Sequence, residues 1–174
     1  HNPEYKLISV CDSDEKVVEK LSQELDVKAF TDYRQLLADS PDVVALCIPH
    51  HLHCPVALEA FEAGCHVLVE KPLAISMNEI CSMATAAKKA NKALFIMESS
   101  YWNPLARIAR TIIAAGELGN FVYASIPNHR FYFTPERPDW FLQTKTSGGG
   151  QFMNIGVHRM AFTRTILGDT YEET

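Results

Sequence analysis

The feature that most constrains the fold of this chain is a series of short apolar runs separated by amphipathic stretches. The run at residues 43–48 is apolar throughout, which is typical of a β-strand covered on both faces. Further runs at residues 7–11, 27–30, 66–69 and 93–97 also have the composition of strands. Strands that alternate with helices predict an α/β fold with a parallel sheet and helices on both faces.

The stretches between these runs carry helix signals. Residues 14–24 place Val17, Val18 and Leu21 on one side of a predicted helix. The other signals are a cap at Thr31 or Asp32, a stop at Gly64 after residues 55–63, and the capping box Ser76-Met77-Asn78-Glu79 that opens a helix to about residue 90. The spacing of strands and helices is therefore regular as far as residue 97.

The pattern changes after residue 97, and we expect a second domain to begin there. A helix near residues 104–115 ends at Gly116, and the aromatic-rich segment 121–133 predicts one or two strands. The glycines at 148–150 then lead into another helix. We divide the chain into an α/β domain at residues 1–97 and the start of an α+β domain at residues 98–174.

Charge and composition exclude several classes of partner. The 174 residues carry a net charge of −5 with no run of lysines or arginines, which argues against nucleic acid or an anionic membrane as the main partner. No apolar stretch is long enough to cross a bilayer, and no signal peptide opens the chain. Five cysteines without a CxxC pair indicate reduced thiols in a cytoplasmic protein.

A lysine follows directly after the apolar strand at residues 66–69, in the sequence Glu70-Lys71-Pro72. Open α/β sheets bind their ligands at the carboxyl ends of the strands, so Lys71 is a candidate for a functional amine. Pro72 disfavours helical geometry at Lys71 and favours an extended residue at the rim. The alternative is a surface lysine that pairs with Glu70.

Asp12 occupies the end of a strand, where an acidic residue of a dinucleotide fold accepts hydrogen bonds from the adenosine ribose. Its charge repels a 2′-phosphate and therefore favours NAD over NADP. The alternative is an aspartate that caps the following helix. A GxGxxG loop belongs about 20 residues before such an acid and is not among the eight glycines here, so we expect the chain to begin inside the fold.

Three histidines and a thiol follow the strand at residues 43–48, in the order His50, His51, His53 and Cys54. Such a cluster is compatible with a zinc site. Its spacing matches no standard zinc pattern, however, and no second ligand pair lies downstream. We therefore predict no metal at this turn, which lies at a strand's carboxyl end.

Two segments carry a resemblance to a known family. The first is Ile48-Pro49-His50-His51-Leu52-His53 together with Ala63-Gly64-Cys65-His66-Val67-Leu68-Val69-Glu70-Lys71-Pro72-Leu73-Ala74. The second is Gly148-Gly149-Gly150-Gln151-Phe152-Met153-Asn154-Ile155-Gly156-Val157-His158. Both are similar to signatures of the glucose-fructose oxidoreductase, inositol dehydrogenase and MocA family (Gfo/Idh/MocA), in the right order and at the right distance.

The resemblance implies a Rossmann-type parallel sheet that lacks its first βα unit, followed by the beginning of the α+β substrate and oligomerisation domain. It implies hydride transfer between NAD, with NADP as the alternative, and a secondary alcohol of a sugar, inositol or related polyol. The implied partner is thus a small molecule, and association into a homo-oligomer is a weaker expectation. Family members are considerably longer than this chain.

The resemblance also implies roles for individual residues. Lys71 matches the lysine that orients the reacting hydroxyl, and His158 matches the general base. Asn154 stands where many members have an aspartate, and asparagine cannot hold a charge that raises the basicity of His158. The predicted cofactor contacts are Asp12, Pro49, His50, His53, Glu70, Lys71 and Glu98.

Several alternatives remain open at this point. Glu98 fits either a position near the nicotinamide or a solvated loop. The aromatic residues fit either a sugar-binding cleft or the core, and they are Tyr101, Trp102, Phe131, Tyr132 and Trp140. A non-catalytic relative, or an inactive fragment of the family, is motivated by Asn154 and the missing glycine loop, and a metal-dependent hydrolase by the three histidines.

Overall fold

The computed structural model describes residues 4–120, 122–127, 129, 131 and 134–168. Within them the first half of the chain forms two parallel sheets, and the second half is helical. The expected α/β architecture is therefore confirmed. No helix of the described residues has both the length and the apolarity needed to span a membrane.

The first sheet contains two strands. β1 (Ser9–Cys11) pairs in parallel with β2 (Lys28–Phe30), and α1 (Glu15–Leu25) connects them. The side chains of Asp14 and Asp32 cap α1 and α2 (Tyr33–Ala38), because each accepts a hydrogen bond from a free backbone N–H two residues later. Of the two predicted caps for α2, Asp32 is correct.

The second sheet contains β3 (Val43–Leu46), β4 (His66–Glu70) and β5 (Leu94–Met97), with β4 in the centre and all three parallel. α3 (His50–Glu62) and α4 (Met77–Ala90) connect these strands and pack against each other.

The main core lies between the helices α3 and α4 and the central strand β4. Val67, Val69, Phe61 and Met83 are each 2% exposed or less. Fully burying one such side chain contributes about 1.5–3 kcal/mol. The main core therefore includes β4, the strand that ends directly before Lys71.

Two details of this half differ from expectation. The run at residues 43–48 is not covered on both faces, since β3 ends at Leu46 and Val43 is 48% exposed. Among the described residues, α3 contacts this strand. The helix predicted to begin at Pro55 instead begins at His50, with Pro49 as its N-cap residue and Pro55 inside the helix. Proline is common in a first turn, which misplaced the start.

The described part of the second half consists of short helical segments joined by loops. α5 (Pro104–Ala114), α6 (Thr144–Ser147) and α7 (Val157–Leu167) are its α-helices, and a π-helical turn at Phe152–Gly156 leads directly into α7. α5 packs against α7. The helix predicted near residues 104–115 is thus present.

The strands predicted at residues 121–133 are not seen in the part of that segment that the structure describes. Residues 122–127, 129 and 131 lie outside any strand, and Val122 and Phe131 are 90% and 84% exposed. A strand needs a paired neighbour, and none of the described residues provides one. Tyr132 lies outside the described residues.

His53 braces the two strand ends that flank the site. It is completely buried in the first turns of α3, with Nδ1 2.9 Å from the carbonyl oxygen of Pro72 and Nε2 2.9 Å from that of Ile48. A neutral ring donates to one of these carbonyls, and a protonated ring donates to both. The side chain thereby joins the chain after β3 to the chain after β4.

Replacing this brace will destabilise the chain. We expect His53→Ala to lower the free energy of unfolding by about 2–3 kcal/mol, because a buried carbonyl loses its donor and a cavity remains. Urea unfolding followed by circular dichroism measures the change. The matched control is His129→Ala at an exposed position, where we expect less than about 0.5 kcal/mol. Equal losses in the two variants would show that the His53 contacts carry no stability.

Candidate functional site

The candidate site lies where three parallel strands end at the same edge of a sheet. Pro49 and His50 follow β3, Lys71 follows β4, and Glu98 follows β5. Because the strands are parallel, their carboxyl ends meet at one edge, where α/β sheets bind ligands. The helical second half reaches this edge through the π-helical turn and α7.

Lys71 is held by the second half of the chain. Its ammonium Nζ donates to the side-chain Oδ1 of Asn154 at 2.8 Å and to the backbone oxygen of the same residue at 2.9 Å. An ammonium has three donors, so one N–H remains for a ligand. The alternative of a surface lysine paired with Glu70 is wrong, since the Glu70 carboxylate instead accepts from the Lys71 backbone N–H at 3.0 Å.

The electrostatic surroundings of Lys71 make its amine less basic. Burial lowers the pKa of this ammonium below its ordinary value, and the nearby Arg137 guanidinium acts in the same direction. The carboxylates of Glu70 and Glu98 oppose that shift without cancelling it. The neutral amide of Asn154 binds the ammonium without adding a negative charge.

Glu98 and His158 form a second contact between the two halves of the chain. His158 Nδ1 lies 2.8 Å from Glu98 Oε1, and the same oxygen accepts the backbone N–H of Ser100 at 2.8 Å. Glu98 is only 6% exposed, so the alternative of a solvated loop carboxylate is wrong. Burial raises the pKa of this carboxyl, but the hydrogen bonds from His158 and Ser100 outweigh burial and leave it below its usual value.

Asn154 and His158 lie four residues apart on one continuous helical run, the π-helical turn and α7. Such π-helical turns occur frequently at functional sites. Lys71 contacts the first of these residues, and Glu98 contacts the second while also acting on the charge of Lys71. The structure therefore brings the predicted catalytic residues into one cluster.

His50 docks the second half of the chain onto the first. It is 4% exposed, its Nδ1 donates to the carbonyl oxygen of Ser147 at 2.9 Å, and its ring centroid lies 4.8 Å from Trp140 and 5.6 Å from Phe141, both edge-on. Trp140 therefore takes part in this docking contact. Tyr101 and Trp102 are 44% and 78% exposed and lie outside the core.

A glycine permits the same approach from the other side. Gly148 has φ +82°, and a Cβ there would lie 3.0 Å from the Ile75 side chain. A larger residue would therefore push α6 away from the segment that follows Lys71. This contact explains one of the three successive glycines at this point of the sequence.

Two further polar groups follow the carboxyl ends of strands, where α/β folds bind their ligands. Asp12 directly follows β1 and is exposed; its Oδ1 accepts from the Asp14 backbone N–H at 2.9 Å, which leaves Oδ2 directed to no described donor. His51 Nδ1 is buried in the first turn of α3 without a hydrogen-bond partner among the described residues. A buried polar atom beside a strand's carboxyl end is what a site for a polar ligand provides.

The histidine cluster does not assemble as a metal site. His50 and His53 bind backbone carbonyls, and the thiol of Cys54 lies 3.8 Å from the Glu79 carbonyl oxygen. Within the described part of the chain, no three histidine, cysteine or acidic side chains are grouped to hold a metal ion.

Sequence reasoning missed how the cluster is joined. Nothing in the sequence pairs Glu98 with His158, since the two are separated by 60 residues and belong to different halves. The hydrogen bond between His50 and Ser147 joins residues that are 97 positions apart, and no sequence pattern predicted it. The only available hint was that Glu98 ends a strand of the predicted sheet, at the same edge as Lys71.

Comparison with known proteins matches both halves of the chain to domains of one family. Residues 1–98 match the family described as "Oxidoreductase family, NAD-binding Rossmann fold", and residues 106–174 match the "GFO/IDH/MocA C-terminal domain". The chain is 30% identical to D-glucoside 3-dehydrogenase of Escherichia coli K12, over 94% of this chain and 47% of that protein. It is 33% identical to 1,5-anhydro-D-fructose reductase of Ensifer adhaerens, over 82% of this chain and 43% of that protein.

A solved structure shows the same fold. The crystal structure of GenD2 from gentamicin A biosynthesis, in complex with NAD, is 28% identical and superposes with a TM-score of 0.82. The match covers 96% of this chain and 48% of that one. The chain thus spans about half the length of the relatives that it matches.

The docking of His50 will make the stability of the chain depend on pH. Burial is the main cause that lowers the pKa of His50, and the charges of His53, Lys71 and His51 also lower it, while the Ser147 carbonyl partly opposes them. Below the unfolded value of about 6.5, the unfolded chain binds a proton that the folded chain resists, so stability falls as the pH falls. We expect a loss of at most about 1.4 kcal/mol per pH unit from this group.

Urea unfolding at pH 7.5 and pH 5.5 measures this loss. In His50→Gln the part of the pH dependence that comes from His50 will disappear, whereas the exposed control His129→Gln will keep it. An identical pH dependence in His50→Gln and in the unaltered chain would contradict the assignment.

Proposed function

This chain belongs to the Gfo/Idh/MocA oxidoreductase family, and we propose that the whole protein transfers hydride between a nicotinamide cofactor and a secondary alcohol of a sugar, inositol or related polyol. The observation that carries this proposal is the contact of Lys71 with Asn154, four residues before His158. The ammonium and the imidazole of the family's two signatures thereby share one cluster. The sugar substrates in the names of both relatives support the substrate class.

Lys71 positions the reacting hydroxyl. Two of its three N–H donors bind Asn154, and we propose that the third donates to the substrate oxygen. As hydride leaves carbon, negative charge develops on that oxygen, and a fixed cation stabilises it. Because both partners on Asn154 are neutral oxygens, the positive charge of Lys71 is not consumed by an ion pair there.

His158 moves the proton. A secondary alcohol releases hydride readily only when its proton is removed, and a neutral imidazole accepts a proton near physiological pH. A bound nicotinamide would supply the hydride acceptor for oxidation and the hydride donor for reduction. His158 then holds the proton and donates it back in the reverse direction.

The cofactor site is assigned to the strand ends. Asp12 binds the adenosine ribose hydroxyls, and Pro49 places the start of α3 beside the dinucleotide. His50, His53 and Glu70 act through the backbone: each side chain bonds a main-chain group of the loops at this edge. We propose that Glu98 lies at the nicotinamide end of this site.

We also propose a domain division, a cellular location and an oligomeric state for the protein. We divide the chain into a nucleotide-binding domain at residues 1–97 and the beginning of the substrate domain at residues 98–174. We also propose a cytoplasmic protein with reduced cysteines, of which Cys54 and Cys65 are buried here. We further propose association into a homo-oligomer, on the basis of family membership alone.

Nicotinamide binding and turnover by the whole protein test the function. We expect calorimetry to detect NADH, with weaker binding of NADPH because the Asp12 carboxylate repels a 2′-phosphate. A panel of sugars and inositols with NAD will identify a substrate by absorbance of the reduced cofactor. Absence of NADH binding refutes the oxidoreductase, and binding without turnover on the panel favours the non-catalytic relative suggested by Asn154.

The role of Lys71 is tested by substitution. In Lys71→Ala we expect kcat to fall by about 10²–10⁴, since the donor to the developing alkoxide is lost. NADH affinity is expected to change by only a few-fold, because Lys71 is one of seven proposed cofactor contacts and the other six remain. The control is Lys88→Ala on the exposed side of α4, with unchanged kcat. Wild-type kcat in Lys71→Ala would remove this residue from the mechanism.

A further inference from the structure

We propose that Glu98 is the positioning residue of the general base: its carboxylate holds His158 with the ring proton on Nδ1 and leaves Nε2 as the basic nitrogen. The inference rests on the proposed function, since it assigns the residue that prepares His158 for that reaction. It concerns a carboxylate that the sequence places after β5, far from the histidine along the chain. The motifs that identified Lys71 and His158 do not contain it.

The geometry determines which nitrogen carries the proton. An ionised carboxylate can only accept hydrogen bonds, so the 2.8 Å contact between Glu98 Oε1 and His158 Nδ1 requires a proton on Nδ1. In the neutral ring the lone pair then lies on Nε2. Glu98 itself stays ionised near neutral pH, because the hydrogen bonds from His158 and Ser100 keep its pKa low despite burial.

The carboxylate is also held in place. Ser100 donates its backbone N–H to the same oxygen at 2.8 Å, and the Glu98 side chain is 4% exposed. His158 is 26% exposed, so the ring remains accessible to a ligand while its partner does not. A buried carboxylate that accepts two hydrogen bonds, one of them from a partly exposed imidazole, orients that ring.

The charges around this pair belong to a small set. Lys71 lies close enough for the Glu98 carboxylate to raise its pKa, and Glu70 and Arg137 act on Lys71 from the neighbouring loops. Asn154, four residues before His158, contributes no charge. Glu98 is therefore the carboxylate in direct contact with the base, and it supplies the negative charge that an asparagine at position 154 cannot.

The variant that tests this role is Glu98→Gln in the whole protein, because glutamine keeps the size and removes the charge. We expect kcat to fall by about 10–100-fold with KM changed by less than about threefold, since orientation of the base affects the chemical step. The pH–rate profile is expected to change as well, because the carboxylate charge beside the base is removed. Glu62→Gln, at the exposed end of α3, is the matched control with unchanged kcat and profile.

A measurement without turnover makes the test independent of activity. Nitrogen NMR of the unaltered protein near pH 8 reports the tautomer of His158, and we expect the proton on Nδ1. In Glu98→Leu the proton on Nδ1 loses its acceptor, and we expect the other tautomer to appear. A proton on Nε2 in the unaltered protein overturns the inference, even if the variant fails to fold.

The outcomes separate this inference from the proposed function. If the protein turns over a polyol and Glu98→Gln keeps the wild-type kcat and pH profile, the role of Glu98 is wrong and the function stands. If the protein binds no nicotinamide, the function is wrong, and the tautomer measurement still decides whether Glu98 orients the ring.

Discussion

The contact between the Lys71 ammonium and Asn154 is the interaction on which the rest of the site depends. A charged amine at the edge of a core is costly to desolvate unless its donors are bound. Asn154 binds two of them and so allows the lysine to remain inside, with a lowered pKa. The contact also fixes α7 against the sheet, which brings His158 to Glu98.

Hydrogen bonds between histidine side chains and backbone carbonyls hold this edge together. His53 connects the chain after β3 to the chain after β4, and His50 connects the start of α3 to α6. In the doubly wound strand order 3-2-1-4-5-6, the pair β2-β1 corresponds to 3-2, and the three strands β3-β4-β5 correspond to 4-5-6.

The parts of the structure that follow local rules were predictable from the sequence. The capping residues Asp32 and Ser76 and the stop at Gly64 depend on neighbours a few positions away, and all are present. The parallel strands were recognisable because their apolar runs recur at regular spacing between helices. The strands at residues 121–133 depend on pairing with distant segments, and local composition cannot supply a partner. The pairing of Glu98 with His158 was unpredictable for the same reason, because it is formed by tertiary packing alone.

The substitution that raised doubt about activity acquires a different meaning in the folded chain. An aspartate at position 154 would place another negative charge beside Lys71, in addition to Glu98. With Asn154, the charges that act on Lys71 are the carboxylates of Glu70 and Glu98 and the guanidinium of Arg137. The asparagine keeps the hydrogen bonds to Lys71, and the charge that assists the base comes from the end of β5.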